Sequence, residues 1–213
     1  MLFLNPDTVV YKNTIDSMVE FMDEHRDAGA ATCFVELPDK KLDDAAHRGF
    51  PTPWRAFCHF SNLAKLFPQS RLFAGYSLGW LDLSKTHEIE ACAVAFMMVR
   101  REAGEEVGWW DENFFWYGDD LDFCYRLKER GWKIYFVPEV SILHYKGVSG
   151  GIKEISNHLS NADRETRIQA TNARFDAMEL FYKKHYIKKY PFFVTSLVLL
   201  VIMLKRFITL QSL

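Results

Sequence analysis

The four cysteines of this 213-residue chain, Cys33, Cys58, Cys92 and Cys124, lie far apart and form no C-x-x-C pair. That spacing offers neither a disulfide framework nor a zinc-ligand pattern. Each sits in an apolar segment, so the sequence predicts reduced core thiols and folding in the cytoplasm. Excess positive charge is missing too. With 26 basic and 28 acidic residues the net charge is -2, which leaves no electrostatic footprint for nucleic acid. No signal-peptide n-region precedes the first apolar residues, and no internal repeat or low-complexity tract is visible. What the chain has in quantity is aromatic side chains, 18 Phe, 9 Tyr and 6 Trp. They suit a packed core and a surface that faces carbohydrate or membrane.

The most informative stretch is DENFFWYGDDLDFCYRLKERGW, Asp111 to Trp132. Asp119, Asp120 and Asp122 follow a glycine and an aromatic cluster, where burying a charge is expensive unless it is paired or used. Acids held beside apolar surface are candidates for general-base or metal chemistry. A helix begins there, with Leu121, Cys124 and Tyr125 at i, i+3 and i+4 and Gly131 as its C′ residue. Capping by Asp119 or Asp120 accounts for one carboxylate and leaves two over. An EF-hand is excluded, because GDDLDFCYR lacks the alternating oxygen ligands and the central glycine.

Around this stretch the pattern is α/β. Met1 to Leu4 reads as the end of a buried strand and runs into the turn Asn5-Pro6-Asp7-Thr8. Asn13 then caps a helix with Ile15, Met18, Val19 and Met22 on one face, and AATCFVEL is a second strand. Strand, turn, helix, strand is the rhythm of an α/β domain, and one that opens on a buried strand is expected to have lost something upstream. Glu36 to Ala46 is loop-like, and Arg48 to Trp54 is extended and punctuated by proline. Residues 55 to 67 form a helix candidate. Glu90 to Arg100 reads as one strand covered on both faces. Lys133 to Val137 is a strand stopped by Pro138, and Val140 to Leu143 is another that delivers His144 at its end.

Beyond Gly150-Gly151 the character changes. Residues 151–189 read as a polar, amphipathic helical extension, with Ile168, Phe175, Met178 and Tyr182 on one face. Lysines 183, 184, 188 and 189 then precede a charge-free run from Tyr190 to Leu204, closed by Lys205 and Arg206. Such a run spans only ~22 Å as a helix, against a hydrocarbon core of roughly 30 Å. Residues 190–213 therefore read as a membrane-associated or membrane-spanning helix assisted by snorkelling lysines, or as a buried C-terminal helix.

LFLNPDT, RGFPTPW, GWLD, EACAVAFMMVRREAGEEVG, WWDENFFWYGDDLDFCYRLKERGWKI and VPEVSILHYKGVS occur in that order. Together they resemble family 2 glycosyltransferases of the GT-A fold, particularly the rhamnosyltransferase-like members that build bacterial surface polysaccharides. The resemblance covers roughly residues 2 to 150 and implies an α/β fold, the carboxyl part of a GT-A (Rossmann-like, mixed-sheet) domain over 1–150, followed by C-terminal helices. It also implies transfer of a sugar from a nucleoside-diphosphate sugar to a hydroxyl of a glycan or lipid-linked acceptor, at the cytoplasmic face of the membrane.

The site residues follow by likeness. Asn5-Pro6-Asp7 resembles the family's Asp-x-Asp metal motif, with Asp7 a ligand of Mg²⁺ or Mn²⁺, which would stabilise the leaving diphosphate. His144 resembles the histidine that completes this site in some relatives; an ordinary strand-end histidine is the other reading. Asp120 resembles the catalytic base of an inverting displacement, with Asp119 orienting the acceptor. Trp109, Trp110 and Phe114 are candidates to stack on sugars or to pack in the core, and Asp82 to face the donor. Asp122 and Arg126, one helical turn apart, are expected to pair structurally.

Two departures stand out. Ala93-Val94-Ala95 stands where the family commonly has Ser-Gly-Ala, which would narrow the donor pocket. The nucleotide-gripping βαβ region that family members carry before the metal motif is absent. The resemblance thus implies a piece of a longer enzyme, or a chain completed by a partner that supplies the nucleotide-binding half and covers the exposed sheet edge. The alternative is a non-catalytic remnant serving as a membrane-associated interaction module.

Overall fold

The computed structural model describes residues 1–146 and 162–213. It divides into two compact units. One holds residues 1–110 and 120–144, the other 111–119 and the described residues from Tyr145 onward. The Gly150-Gly151 junction and residues 152–161 of the expected extension lie outside the described residues.

The first unit is built on a six-stranded mixed sheet in the order β1 (Leu2–Leu4), β5 (Phe96–Val99), β3 (Ala28–Glu36), β6 (Lys133–His144) and β2 (Thr8–Val10), with β4 (His87–Ile89) also paired to β6. Its centre is the parallel pair β3 (Ala28–Glu36) and β6 (Lys133–His144), and the remaining pairings are antiparallel. β3 is almost wholly buried, consistent with its run of small and β-branched residues between two covered faces. α1 (Thr14–Glu24) packs on this sheet through Met18, Phe21 and Met22, which join Cys33, Val35, Phe96 and Ile142 in one cluster.

Local outcomes differ from the sequence pattern where tertiary contacts overrule it. The buried face of α1 is Thr14, Met18, Phe21 and Met22, whereas Ile15 and Val19 are exposed. Thr14 Oγ1 donates to the Ser141 carbonyl at 2.8 Å, which turns the helix to that face. β1 (Leu2–Leu4) is a half-buried edge strand and not a buried one. The apolar run 90–100 is not one strand. β4 (His87–Ile89) and β5 (Phe96–Val99) flank a segment that bridges back to Arg48 at Ala91, although all four residues of β5 are buried as expected.

The expected helix over 55–67 breaks into α2 (Pro53–Phe60) and α3 (Leu63–Leu66) at Asn62, whose φ is 62°. Pro138 does not end a strand, because β6 runs through it. Cys33 faces Val137 while Phe34 faces Ser141, so Pro138, Glu139 and Val140 bulge out of the ladder. A bulge is where proline's missing N–H costs no ladder bond.

α4 (Arg101–Val107) and α5 (Asp119–Glu129) complete this layer. α5 ends in a Schellman motif: Gly131, φ 88°, donates to Lys128 O and Trp132 to Leu127 O. All four cysteines are buried and free, and burial pushes the Cys33 thiol up to about 12. In the second unit α6 (Arg164–His185) pairs with α7 (Phe192–Gln211). α7 extends past the charge-free run through Lys205 and Arg206. Its apolar stretch has a mean hydropathy of 2.1 and is long enough to cross a membrane, with 6% of it buried.

Candidate functional site

Asp7 lies just before β2 (Thr8–Val10), and β2 runs antiparallel to the end of β6 with Thr8 opposite His144. This register brings Oδ1 of Asp7 to 3.3 Å from Nε2 of His144. A second carboxylate closes the arrangement from behind. Asp43 is held at the end of β3 by its own N–H on the Val35 carbonyl. It caps a 3₁₀ turn through Ala45 N and sets its other oxygen 2.9 Å from Nδ1 of His144. Its side chain is 1% exposed and that of His144 7%.

An ionised carboxylate only accepts, so Asp43 places the ring proton on Nδ1 and leaves a lone pair on Nε2. That Nε2 is buried and makes no hydrogen bond among the described residues. A buried nitrogen aimed at a carboxylate with nothing between them is an arrangement that a hard cation would satisfy. The carboxylate–histidine–metal triad uses the same outer carboxylate. Among the described residues no three His, Cys, Asp or Glu groups converge as a complete ligand set. Asp7 and His144 supply two donors, and the fit is to a cation whose remaining positions are filled by substrate and water, as is usual for Mg²⁺.

Asp119 and Asp120 open α5 behind Gly118, φ 82°. They are therefore in the first helical turn, where negative charge complements the dipole, and neither is the cap itself. Asp120 accepts from Nη2 of Arg48 at 2.8 Å, with both side chains about one-seventh exposed. Burial opposes the charge on Arg48, and Asp120 with the Tyr76 hydroxyl outweighs it, holding the guanidinium charged. Asp122 is fully buried and pairs with Arg126 at 2.7 Å. Arg126 also donates to the carbonyls of Val107 and Trp109, pinning the turn after α4.

The remaining candidates sit in other surroundings. Trp109 and Trp110 pack around Phe3 and Phe123, with centroids 4.5–6.4 Å apart. Trp109 also covers Gly104, where an added Cβ would meet the indole at 2.3 Å. Asp82 is exposed and accepts from the Ser84 hydroxyl and N–H, which with Lys85 lower its carboxyl to about 2. Phe114 belongs to the second unit. There, with the exposed Phe115, it lines a cleft of ≈460 Å³ that also presents Asn172 and Asp176.

Two residues of this site were not visible from the sequence, Asp43 and Arg48. One six-residue segment carries both, Asp43 contacting His144 and Arg48 contacting Asp120, so it links the two acidic clusters. Only the adjacent acids Asp43 and Asp44 in a segment otherwise read as a loop could have hinted at it.

A mixed α/β sheet with an acid–histidine pair at the end of its central strands, and an acidic pair opening the helix before the last of them, is a GT-A-like arrangement. The chain belongs to glycosyltransferase-like family 2, whose sequence profile matches residues 1–158. It is 27% identical over 148 residues to the rhamnosyltransferase WbbL of Escherichia coli K12, covering 68% of this chain and 52% of that protein. It is 28% identical over 168 residues to an N-acetylglucosaminyl-diphospho-decaprenol L-rhamnosyltransferase of Mycobacterium tuberculosis H37Rv, covering 79% of this chain and 53% of the relative. The chain thus spans about half the length of the curated relatives it matches.

Proposed function

We propose that this chain contributes the metal and acceptor side of an inverting glycosyltransferase, taking a sugar, rhamnose being the one the relatives suggest, from a nucleoside-diphosphate donor to a hydroxyl of a lipid-linked glycan. The observation that carries the reading is the line Asp43–His144–Asp7, with its orphaned Nε2, in a family 2 domain. Asp7 and His144 hold Mg²⁺ or Mn²⁺, and Asp43 holds the imidazole in the ligating tautomer. When bound, the cation neutralises the charge that develops on the leaving diphosphate.

Asp120 accepts the proton of the acceptor hydroxyl as it attacks the anomeric carbon. Oδ2 of Asp120 accepts from Arg48 and Oδ1 from the Leu121 N–H, which fixes the carboxylate plane, and a remaining lone pair takes the acceptor proton. Asp119, beside it, orients that acceptor. Phe114, with Phe115 in the cleft beside Asn172 and Asp176, offers a stacking face and amide and carboxylate partners for an acceptor sugar. Packing around Phe3 and Phe123 makes Trp109 and Trp110 supports within the first unit, and Asp82 on its exposed turn is the weakest of the donor contacts.

The proposal includes a division into a partial transferase domain (1–150), a helical extension (151–189) and a membrane-associated segment (190–213). Residues that grip the nucleotide base come from outside this sequence, from a longer polypeptide or a separate chain, and the assembly works at the cytoplasmic face of the membrane.

The Arg48–Asp120 ion pair favours a second reading of that one acid, as a structural buttress. The test is nucleoside-diphosphate release from nucleotide sugars in membranes containing lipid-linked acceptor, with the chain in its native assembly. A general base is typically worth 10²–10⁴ in rate. Asp120→Asn takes the carboxylate from the buried Arg48, which costs about 3–5 kcal/mol as well. Adding Arg48→Met removes that stability loss. Transfer that stays lost in the refolded double variant supports the base, and transfer that returns with stability supports the buttress. Undiminished transfer in excess chelator would count against the metal arm.

A further inference from the structure

The two sides of α7 suit different media. Toward α6 it turns Thr195, Ile202, Arg206 and Thr209. Tyr182 Oη and Thr195 Oγ1 lie 3.1 Å apart near one end of the pair. Near the other, Arg206 donates to Asn172 at 2.9 Å and to Asp176 at 2.6 Å. The two helices therefore run antiparallel, side by side, for about 15 Å. Away from α6 the surface is apolar apart from Ser196: Phe192, Phe193, Leu197, Leu200, Phe207 and Ile208 are between 46% and 85% exposed.

A stripe of this length on a monomer marks an interaction surface, and two observations say which kind. The first is the pairing itself. Were α7 to cross a bilayer in this pairing, it would carry Asn172, Arg174, Asp176 and Glu179 of α6 into the hydrocarbon, where ionised groups are strongly disfavoured. Lying flat, it buries the whole stripe and leaves α6 in water. The second is charge. Lys183 and Lys184 pair with Glu179 and Asp111, and the exposed Lys188 lies just before Phe192 and Phe193. Cations at the rim of an apolar stripe fit anionic headgroups.

We infer that α7 is an in-plane anchor that lays its apolar stripe into an anionic lipid surface, with α6 on its aqueous side, and that it does not span. The inference rests on the membrane association proposed above and specifies its geometry and lipid. All four native cysteines are buried, so single cysteines introduced at Phe193, Leu200 and Ile208 can carry a fluorophore in the full chain. Vesicles of phosphatidylcholine alone, and with a quarter phosphatidylglycerol, serve as the surface, and lipid-borne quenchers report depth.

The expected result is flotation with the anionic vesicles, one shared shallow depth for the three probes, and Ser212→Cys open to an impermeant maleimide added outside. Lys188→Ala should weaken partitioning about five-fold. A deepest probe at Leu200 with Ser212→Cys protected would overturn the in-plane geometry and leave membrane association standing. Equal binding to neutral vesicles would overturn the anionic preference. No flotation at all, or a dimer in solution that persists with lipid and hides the stripe, would overturn the inference and the membrane reading together.

Discussion

Replacing Asp43 by Asn separates an orienting carboxylate from a space-filling one. In the native chain one oxygen of Asp43 accepts from Ala45 N and the other faces Nδ1 of His144, each at 2.9 Å. Asn has the same shape. If its oxygen stays on Ala45, its NH₂ is turned toward Nδ1, which must then accept, and the ring proton moves to Nε2. The lone pair beside Asp7 is lost. Outer partners of this kind are worth 10–100-fold in metal affinity, about 1.4–2.7 kcal/mol. Folding suffers on a similar scale, because a buried charge-assisted bond of about 1.5–3 kcal/mol becomes a neutral one. The thermal midpoint should fall by several degrees without loss of the fold.

Two measurements check this. Titration of free Mn²⁺ by its paramagnetic signal should give a dissociation constant 10–100-fold higher for Asp43→Asn. The ¹⁵N shifts of the His144 ring should show the protonated nitrogen exchanged. A native tautomer in the variant would refute the reasoning about Asp43. An exchanged tautomer with unchanged Mn²⁺ affinity would refute the assignment of His144 as a ligand.

Three other outcomes are expected. Burial, reinforced by His87 at 2.7 Å, lowers His47 from 6.5 to about 4. Between those values the unfolded chain binds the extra proton and the folded chain does not. Stability therefore falls as pH falls from about 6.5 and is lower by on the order of 3 kcal/mol below 4; denaturant melts of His47→Phe should lack that slope. Gly104→Ala should drive a methyl into the Trp109 indole and destabilise by about 1–3 kcal/mol. A neutral melt, together with strong quenching of Trp109 by added sugar, would instead support a stacking role for that ring. Breaking the Asp122–Arg126 pair with Arg126→Met takes the guanidinium from a fully buried carboxylate, so a loss of about 3–5 kcal/mol is expected by calorimetry, and an unshifted melt would contradict it.

The order of elements was legible where the signal is local. β3 announces itself by a run of small and β-branched residues, α5 by its periodicity and Gly131, and the delivery of His144 at a strand end by the apolar run before it. What escaped depended on distant partners. The face of α1 is set by Thr14 reaching Ser141, 127 residues away, so periodicity selected Ile15 and Val19 wrongly. Pro138 was read as a stop because a bulge cannot be seen without the opposing strand. Asp43 and Arg48 sit in a segment read as a polar loop with a proline-punctuated extension; their partners are 101 and 72 residues away. The resemblance named Asp7, His144 and Asp120 by pattern, but not the segment that supplies a contact to each cluster.

The bulge at Pro138–Val140 also sets a length. Ladder residues advance by about 3.3 Å each, so taking three of them out of register draws the end of β6 back by roughly 10 Å and sets His144 opposite Thr8. The meeting of His144 with Asp7 and Asp43 thus depends on a residue count in the middle of a strand. A strand without the bulge, with residues 138–140 entered in the ladder, would preserve every acid and the histidine yet carry the imidazole past the end of the sheet and away from both carboxylates. Substitutions that iron out the bulge should behave like active-site mutations although they touch no active-site side chain, whereas deleting residues 138–140 leaves Val137 and Ser141 on consecutive partners.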